Sequence, residues 1–275
     1  GDFADFTKYL REEKKFYFST GADLIKEYLR ISQKANAALP KMFKVLPKLG
    51  FDVKPIPSYA EKSQTTAYYM PGSSAMNRKG VFFANTYDLS SRPKWEMEAL
   101  TLHEAVPGHH LQIALADEMG TLPDFRRFGG FTAYIEGWGL YSESLGDEMG
   151  FYKDPYSKFG QLSYEMWRAI RLVVDTGMHE LGWSREKAIQ FFASNTGKPL
   201  HDITVEIDRY IVWPGQALAY KTGQLKLKEL RDYAQKEMGK NFDIRNFHDK
   251  VLSFGAVPLD VLEDQVKTWV KQNKA

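Results

Sequence analysis

The strongest constraint on the fold lies in the stretch "LTLHEAVPGHHLQIAL", residues 100–115, where a proline interrupts an otherwise helical pattern. A proline ring clashes with the carbonyl group four residues earlier, here that of His103, and its nitrogen cannot donate the helical hydrogen bond. The helix must therefore deform at Pro107, and Gly108 beside it tolerates unusual backbone dihedrals. The sequence predicts a two-residue bulge in the helix at this point.

The remaining pattern predicts a mainly α fold with a small β-sheet. Residues 2–49 show helical periodicity, with Leu24, Tyr28 and Ile31 on one face and breaks at Gly21 and Pro40. Proline, glycine and serine then cluster around "TTAYYM" and "GVFFAN", which we interpret as two short strands. Helical periodicity returns after residue 93 and continues to the end of the chain.

Composition indicates one folded domain over residues 1–275. The hydrophobic fraction of 43% supports a large core, and no linker divides the chain.

A net charge of +2 without a long basic run argues against a nucleic-acid partner. The absence of cysteine excludes disulfides and thiolate metal sites, and no stretch approaches the roughly 20 apolar residues of a membrane span. The chain does not begin with Met, so we interpret it as processed or truncated.

The histidines around the proline are candidate metal ligands. In the H-E-x-x-H pattern of zinc proteases the second histidine follows four residues after the first. Here His109 follows His103 by six residues and would point to another side of a straight helix, whereas His110 shares the face of His103 but lies about 10.5 Å along the axis. A bulge would return His109 to the required place, giving H-E-x-x-P-G-H with Glu104 beside the first ligand. The alternative is that His103 is a hydrogen-bonded core residue and that Pro107 and Gly108 merely end one helix before another begins.

The segment "FTAYIEGWGLYSE" offers a third ligand. A catalytic zinc site needs three protein ligands and one open position, and Glu136 lies in a mostly apolar helix where burial is expected. Glu143, two turns later on the same face, is the alternative ligand or a partner for a histidine ring nitrogen. Gly137 and Gly139 are poor helix formers, and we expect them to allow close approach of another backbone.

Four ordered segments resemble the bacterial family called domain of unknown function 885, a group similar to gluzincin-like metallopeptidases. They are "LTLHEAVPGHHLQ", "YIEGWGLYSE", "RLVVDTGMH" and "RYIVWPGQALAYKTGQ", within about Thr65 to Leu259. The resemblance implies a mostly helical fold with a small sheet beside the motif helix. It also implies that His103, His109 and Glu136 bind zinc (Zn²⁺), that Glu104 is the general base, and that the chain is a C-terminal half. The absent N-terminal half would then be a partner that covers the cleft.

Further candidates lie on later helices. Arg168, Arg171, Asp175 and His179 form a polar stripe that is either a series of ion pairs or a functional surface. In the functional interpretation His179 is catalytic and Arg171 binds substrate. By the resemblance, Tyr210 polarises the scissile carbonyl group. The remaining substrate-binding candidates are Arg209, Tyr220 and Phe83. Phe83 belongs to "GVFFAN", which is the expected edge strand for a substrate backbone.

These observations predict a zinc-dependent hydrolase of peptide or related amide bonds. The alternatives are a catalytically idle, extracytoplasmic binding module on the same scaffold, or a metal-dependent amidase or esterase with non-peptidic substrates. A periplasmic protein or a cell-envelope lipoprotein is favoured over a cytoplasmic one. The sequence shows no serine-hydrolase elbow, P-loop or dinucleotide fingerprint.

Overall fold

The computed structural model describes residues 2–274 and begins with two helices, α1 (Phe3–Glu12) and α2 (Gly21–Ala38). The side chain of Asp2 accepts a hydrogen bond from the backbone of Asp5 and begins α1, and Thr20 caps α2 in the same way. The predicted apolar face of α2 is confirmed, because its residues Leu24, Tyr28 and Ile31 are all buried.

A three-stranded sheet follows, formed by β1 (Phe51–Pro55), β2 (Ala67–Met70) and β3 (Gly80–Ala84). The two predicted strands are confirmed as β2 and β3. β3 lies in the centre, parallel to β1 with Phe51 opposite Gly80, and antiparallel to β2 with Ala67 opposite Ala84.

The expectation that "GVFFAN" supplies an edge strand is therefore wrong. Both sides of β3 are already paired with backbone partners, so a substrate backbone cannot add to it. Its residue Phe83 is half-buried and lies with its ring 5.2 Å from that of Tyr68, the residue opposite it on β2. The two edges of the sheet belong to β1 and β2, and β2 is the strand that contacts the motif helix.

The rest of the chain from residue 97 to residue 273 is mainly helical, as predicted. The remaining helices are α3 (Met97–Glu104), α4 (His109–Glu118), α5 (Asp124–Arg127), α6 (Thr132–Ser144), α7 (Pro155–His179), α8 (Arg185–Ser194), α9 (Leu200–Val212), α10 (Ala219–Met238), α11 (Ile244–Leu252) and α12 (Leu259–Asn273). None of the helices within residues 2–274 combines the length and the apolar character needed to cross a membrane.

The main core brings α3, α6 and α10 together beneath the sheet. α6 and α10 cross closely where glycine faces glycine: a Cβ added to Gly137 would lie 2.4 Å from the Cα of Gly223. This confirms the expected close backbone approach at Gly137. A second, smaller core joins the C-terminal half of α7 to α8 and α9, and its buried residues include Val174, Phe192 and Tyr210.

Candidate metal centre

The proline separates two helices instead of bulging one. α3 ends at Glu104, and α4 begins at His109 after a turn over residues 105–108. The amide of His110 donates to the carbonyl oxygen of Ala105 at 3.0 Å, which spans the turn, and the indole Nε1 of Trp138 donates to the carbonyl oxygen of Pro107 at 2.8 Å. These hydrogen bonds hold the turn, and the imidazole rings of His103 and His109 lie 4.7 Å apart, so His109 returns to the side of His103.

The structure brings His103, His109 and Glu136 together. Their ligand atoms all lie within 4.8 Å of one another. The Nε2 atoms of His103 and His109 are each 3.4 Å from Oε2 of Glu136, and the two imidazole rings are nearly perpendicular at 88°. His103 is buried, whereas the side chains of His109 and Glu136 keep 11% and 18% of their surface exposed.

The two distances from Glu136 fit a tetrahedral zinc site, and the two histidine ligand atoms lie within 4.8 Å of each other. Two ligand atoms at about 2.0–2.1 Å from one ion and at a tetrahedral angle are about 3.3–3.4 Å apart. Both contacts of Glu136 have this length, and its Oε2 atom has no hydrogen-bond partner in the described part of the chain. A buried acceptor without a partner is costly, and an ion between the three residues would satisfy it. The donor set of two imidazoles and one carboxylate is one that zinc prefers.

Glu143 supports His103 from behind. Its Oε1 atom lies 2.8 Å from Nδ1 of His103 and 3.6 Å from the guanidinium group of Arg168. A carboxylate accepts hydrogen bonds, so Nδ1 carries the hydrogen and the lone pair of neutral His103 is on Nε2, the atom that faces Glu136. Of the two carboxylates that the sequence left open, Glu136 therefore lies in the cluster and Glu143 orients a histidine.

His110 lies apart from this cluster. Its Nδ1 atom is 2.9 Å from the hydroxyl of Tyr69 on β2, and its ring packs 4.6 Å from that of Phe51 on β1. Burial lowers the pKa of His110 to about 4, so the ring is neutral at physiological pH. The adjacent histidines His109 and His110 therefore face opposite ways, one toward the candidate metal centre and one toward the sheet.

The charges of the cluster are coupled. Burial lowers the pKa of His103, but the carboxylates of Glu136 and Glu143 outweigh this effect and raise it to about 9. Burial likewise raises the pKa of Glu136, and the two histidines reverse this and hold it well below its usual range. Glu136 is thus a carboxylate at neutral pH, the form in which it can bind a cation.

Two further residues border the cluster. Glu104 ends α3 directly after His103 and is half-buried. Its charge contributes to the raised pKa of His103, and its carboxylate has no hydrogen bond within residues 2–274. Tyr220 begins α10 with its ring stacked 6.1 Å from that of His103, and its hydroxyl accepts a hydrogen bond from Nε2 of Gln216 at 3.2 Å. Burial and the charge of Glu136 raise the pKa of Tyr220, so its phenol remains protonated and able to donate.

Other predicted residues are not brought to the cluster. Tyr210 is buried in the second core, where its hydroxyl accepts from Nε1 of Trp167 at 3.0 Å. His179 is an exposed residue at the end of α7, and its Nε2 atom is 3.0 Å from the backbone carbonyl oxygen of Tyr210. Arg209 pairs with Glu206 on its own helix at 3.6 Å. In this arrangement Tyr210 cannot polarise a carbonyl group at the cluster, and His179 cannot act there as an acid or a base.

The polar stripe on α7 is divided between different partners. Arg168 faces Glu143, and the carboxylate of Asp175 accepts the backbone N–H of Gly215 at 3.2 Å. Arg171 lies 4.2 Å from the ring centroid of Tyr220 and donates to Oε1 of Gln216. Sequence reasoning did not single out Gln216, although its position four residues before Tyr220 places both side chains on one side of the chain.

Comparisons place the chain among proteins without an assigned activity. The model of the family described as "Bacterial protein of unknown function (DUF885)" matches residues 1–266. This match extends over nearly the whole chain as one domain, so it does not support the expectation that the chain is the C-terminal half of that domain. No curated protein matches the chain.

Two solved structures share the fold. The protein described as "the putative lipoprotein from Colwellia psychrerythraea" is 38% identical with a TM-score of 0.95, and the match covers 99% of this chain and 47% of that one. A second, described as "a putative lipoprotein of unknown function from Shewanella oneidensis", is 20% identical with a TM-score of 0.80, covering 94% and 48% of the two chains. The present chain thus spans about half the length of either protein.

Proposed function

Because the chain belongs to the family of bacterial proteins of unknown function called DUF885, whose description assigns no activity, we propose from its own residues that it is a zinc-dependent hydrolase of peptide or related amide bonds. One observation carries the proposal. Two histidines and a carboxylate converge at the spacing of a tetrahedral site, with one buried carboxylate oxygen that lacks any other partner. The gluzincin-like relationship that the motifs imply is part of this proposal.

His103, His109 and Glu136 would hold the ion. Zinc in such a site supplies a water of lowered pKa and polarises a carbonyl group. Glu143 keeps the ring of His103 in the orientation and tautomer that the site requires, through the contact of 2.8 Å at Nδ1. Arg168, at 3.6 Å from the same carboxylate oxygen, supplies the positive charge that holds Glu143 in place.

Glu104 would move the proton. It is adjacent to His103 in the sequence, borders the cluster, and its carboxylate is not occupied by another described residue. It can therefore accept the proton of the attacking water and deliver it to the nitrogen of the leaving amine. Tyr220, with a protonated phenol beside His103, would donate a hydrogen bond to the carbonyl oxygen, the role that the sequence assigned to Tyr210.

The sheet edge next to the motif helix would guide an extended substrate. β2 pairs with β3 on one side only, so its other edge leaves backbone groups free for an added strand. Tyr69 on this strand contacts His110, which directly follows the ligand His109. A peptide backbone pairing with β2 would therefore lie beside the ligand-bearing turn.

The structural relatives bear on the cellular location. Both are described as putative lipoproteins, and one of them is 38% identical to this chain. We therefore include a cell-envelope location in the proposal, where peptides of the envelope would be the accessible substrates.

The decisive experiment replaces the proton-transfer residue. Glu104→Gln should lower hydrolysis of a mixed library of peptides, amides and esters by at least about 100-fold, the contribution of a positioned general base. Its zinc content and melting temperature should equal those of the wild type, because Glu104 is outside the ligand set. Glu186→Gln, an exposed change on α8, is the matched control and should leave the rate unchanged.

Two outcomes would contradict the proposal. If Glu104→Gln hydrolysed the library at the wild-type rate, the assigned base would be wrong. If the zinc-loaded wild type hydrolysed no member of the library, the chain would be a binding module, and a protein atom in place of water at the fourth coordination position would explain its inactivity. The library members that are cleaved decide between a peptidase and a non-peptidic amidase or esterase.

A further inference from the structure

Arg171 is a buried cation without an anion. It is 2% exposed, and no carboxylate within the described part of the chain lies within 4.0 Å of its guanidinium group. One terminal nitrogen donates to Oε1 of Gln216 at 2.8 Å, and Nε has no hydrogen-bond partner. Asp175, one turn later, directs both carboxylate oxygens to the backbone N–H of Gly215 instead. A buried charge that lacks its counter-ion is costly to maintain, and its retention calls for a reason.

Arg168 shows the usual arrangement on the same helix. It lies one turn before Arg171, is also buried, and has the carboxylate of Glu143 at 3.6 Å. The positive charge of Arg168 is therefore balanced within the protein. The rings of Tyr210 and Tyr220 lie 4.9 Å and 4.2 Å from Arg171 and favour a cation, but they bring no negative charge. The missing counter-ion is thus specific to Arg171.

Arg171 lies one aromatic ring away from the candidate metal centre. The guanidinium carbon is 4.2 Å from the ring centroid of Tyr220, and the ring of His103 is 6.1 Å from the same centroid. The guanidinium group therefore lies no more than about 10 Å from the ring of His103. Because this is an upper limit, no more than about one amino-acid residue, at about 3.8 Å per residue, can separate a carboxylate bound to Arg171 from the candidate metal centre.

We propose that Arg171 binds the C-terminal carboxylate of a peptide, so that the enzyme removes residues from the C-terminus. The inference rests on the proposed function. The amide oxygen of Gln216 accepts a hydrogen bond from one nitrogen of Arg171, as a substrate carboxylate oxygen would. Gln216 is half-buried and follows Gly215 at the start of a short 3-10 helix between α9 and α10. A bound carboxylate displaces this amide and also takes up the free Nε–H, giving the two-bond arrangement that arginine favours.

The reaction then has a defined product. One water is consumed, the last peptide C–N bond breaks, and the water oxygen stays on the new C-terminal carboxylate of the shortened peptide. The nitrogen of the leaving residue receives the proton that Glu104 took from the water, and the second water proton, lost from the new acid group, protonates the free amine. The free amino acid leaves with its carboxylate on Arg171, and the shortened peptide presents a new carboxylate for the next cycle.

Binding tests the inference without relying on turnover. The dissociation constants of three pentapeptides are measured on zinc-loaded Glu104→Gln and on chelator-treated wild type: one with a free C-terminal carboxylate, the same peptide as its C-terminal amide, and an amide whose last residue is glutamate. We expect the free acid to bind about 10- to 100-fold more tightly than its amide, the contribution of hydrogen bonds to a charged group. Equal binding of acid and amide would overturn the proposal. If the glutamate amide bound as tightly as the free acid, the site would recognise a side-chain carboxylate and the C-terminal assignment would fail.

Variants connect the preference to Arg171. Arg171→Gln should bind acid and amide equally, whereas Arg185→Gln, which removes an exposed ion pair between α8 and Asp208, should keep the preference. Gln216→Glu places a carboxylate on Arg171 from within the protein, so it should raise the melting temperature and remove the preference. This second variant keeps the test conclusive if Arg171→Gln does not fold. Retention of the preference in Gln216→Glu would contradict the inference.

The failure of this inference differs from failure of the proposed function. An enzyme that binds zinc and loses activity in Glu104→Gln, but cuts acids and amides alike at internal bonds, is a zinc peptidase without this subsite. A protein that prefers the free acid through Arg171 but hydrolyses nothing has the carboxylate subsite without the activity. The two properties are therefore measured separately.

Discussion

Glu143 lies with Oε1 at 2.8 Å from Nδ1 of His103, and this contact leaves Nε2 as the ring atom that faces His109 and Glu136. If His103 binds zinc as proposed, this carboxylate fixes the orientation and the tautomer of a ligand histidine. This role explains why a completely buried glutamate is present in α6 beside a second glutamate that the sequence could not distinguish from it.

Glu143→Gln should therefore weaken zinc binding by about 10- to 100-fold, because the amide supports His103 less well than a carboxylate does. The measurement is the zinc dissociation constant from competition with a chromogenic chelator. Glu148→Gln, which changes a partly exposed partner of Arg231, serves as the control and should leave zinc affinity unchanged. An unchanged affinity in Glu143→Gln would show that its contact with His103 is only structural.

The adjacent histidines form a matched pair for the ligand assignment. His109→Ala should abolish stoichiometric zinc binding, because the cluster would keep only two ligands. His110→Ala should bind zinc normally and lose about 1–3 kcal/mol of stability, because its ring packs on Phe51 and bonds to Tyr69. Zinc content after gel filtration and urea denaturation measure the two properties. The opposite pattern of zinc loss would assign the ligand to His110.

Gly139 makes room for the first ligand. A Cβ at this position would lie 2.7 Å from Cε1 of His103, closer than real Cβ contacts allow. Gly139→Ala should displace the ring, lower zinc affinity and cost about 1–3 kcal/mol of stability, as overpacking usually does. Gly120→Ala is the control, since nothing lies within 4 Å of its Cβ position. Zinc titration and urea denaturation on both variants check this, and an unchanged zinc affinity in Gly139→Ala would contradict the steric argument.

His248 should make the protein sensitive to acid. It is fully buried, its Nδ1 atom donates to the carbonyl oxygen of Met42, and its Nε2 atom accepts from the hydroxyl of Tyr141, which Arg231 also contacts. Burial lowers its pKa to about 3, below the ordinary value of 6.5. Between these two pH values the unfolded chain binds one more proton than the folded one, so stability falls as the pH falls, by up to about 1.4 kcal/mol per pH unit.

The pH dependence of the free energy of unfolding can be measured separately from its value at neutral pH. Free energies of unfolding in urea are measured at several pH values between 4 and 6.5, for the wild type, for His248→Gln and for His201→Gln at an exposed position on α9. The His248 variant should be less stable at neutral pH but lose less stability on acidification. Parallel pH profiles for all three proteins would mean that His248 does not cause the acid sensitivity.

Local patterns predicted most of the fold. The periodic burial of Leu24, Tyr28 and Ile31 and the β-forming residues of β2 and β3 are properties of short segments, and they were predicted correctly. β1 was missed because Phe51 and Val53 alternate with polar residues over only a few positions, and Pro55 argues against a strand. An edge position tolerates that proline. The strand order that places β3 in the centre depends on distant pairings, which no short pattern contains.

The candidate metal centre was likewise predictable only in part from the sequence. His103, His109 and Glu136 could be proposed together because ligand chemistry restricts residue type and spacing, and the structure brings their ligand atoms within 4.8 Å of one another. The orientation of α7 against α9 and α10 decides whether Tyr210 or Tyr220 borders the cluster, and this depends on packing between helices far apart in the sequence. The stripe of Arg168, Arg171 and Asp175 was visible, but its partners on other elements were not.

The turn at residues 105–108 determines how His103 and His109 are positioned relative to each other. In a continuous helix the backbone itself sets the distance between two ligands, so a single insertion would rotate the second one away. Here the ligands begin and end separate helices, and the turn between them is held by Trp138 through the carbonyl of Pro107. The number of residues between the ligands can therefore drift during evolution while the site persists, and searches based on a fixed interval will overlook homologous sites of this kind.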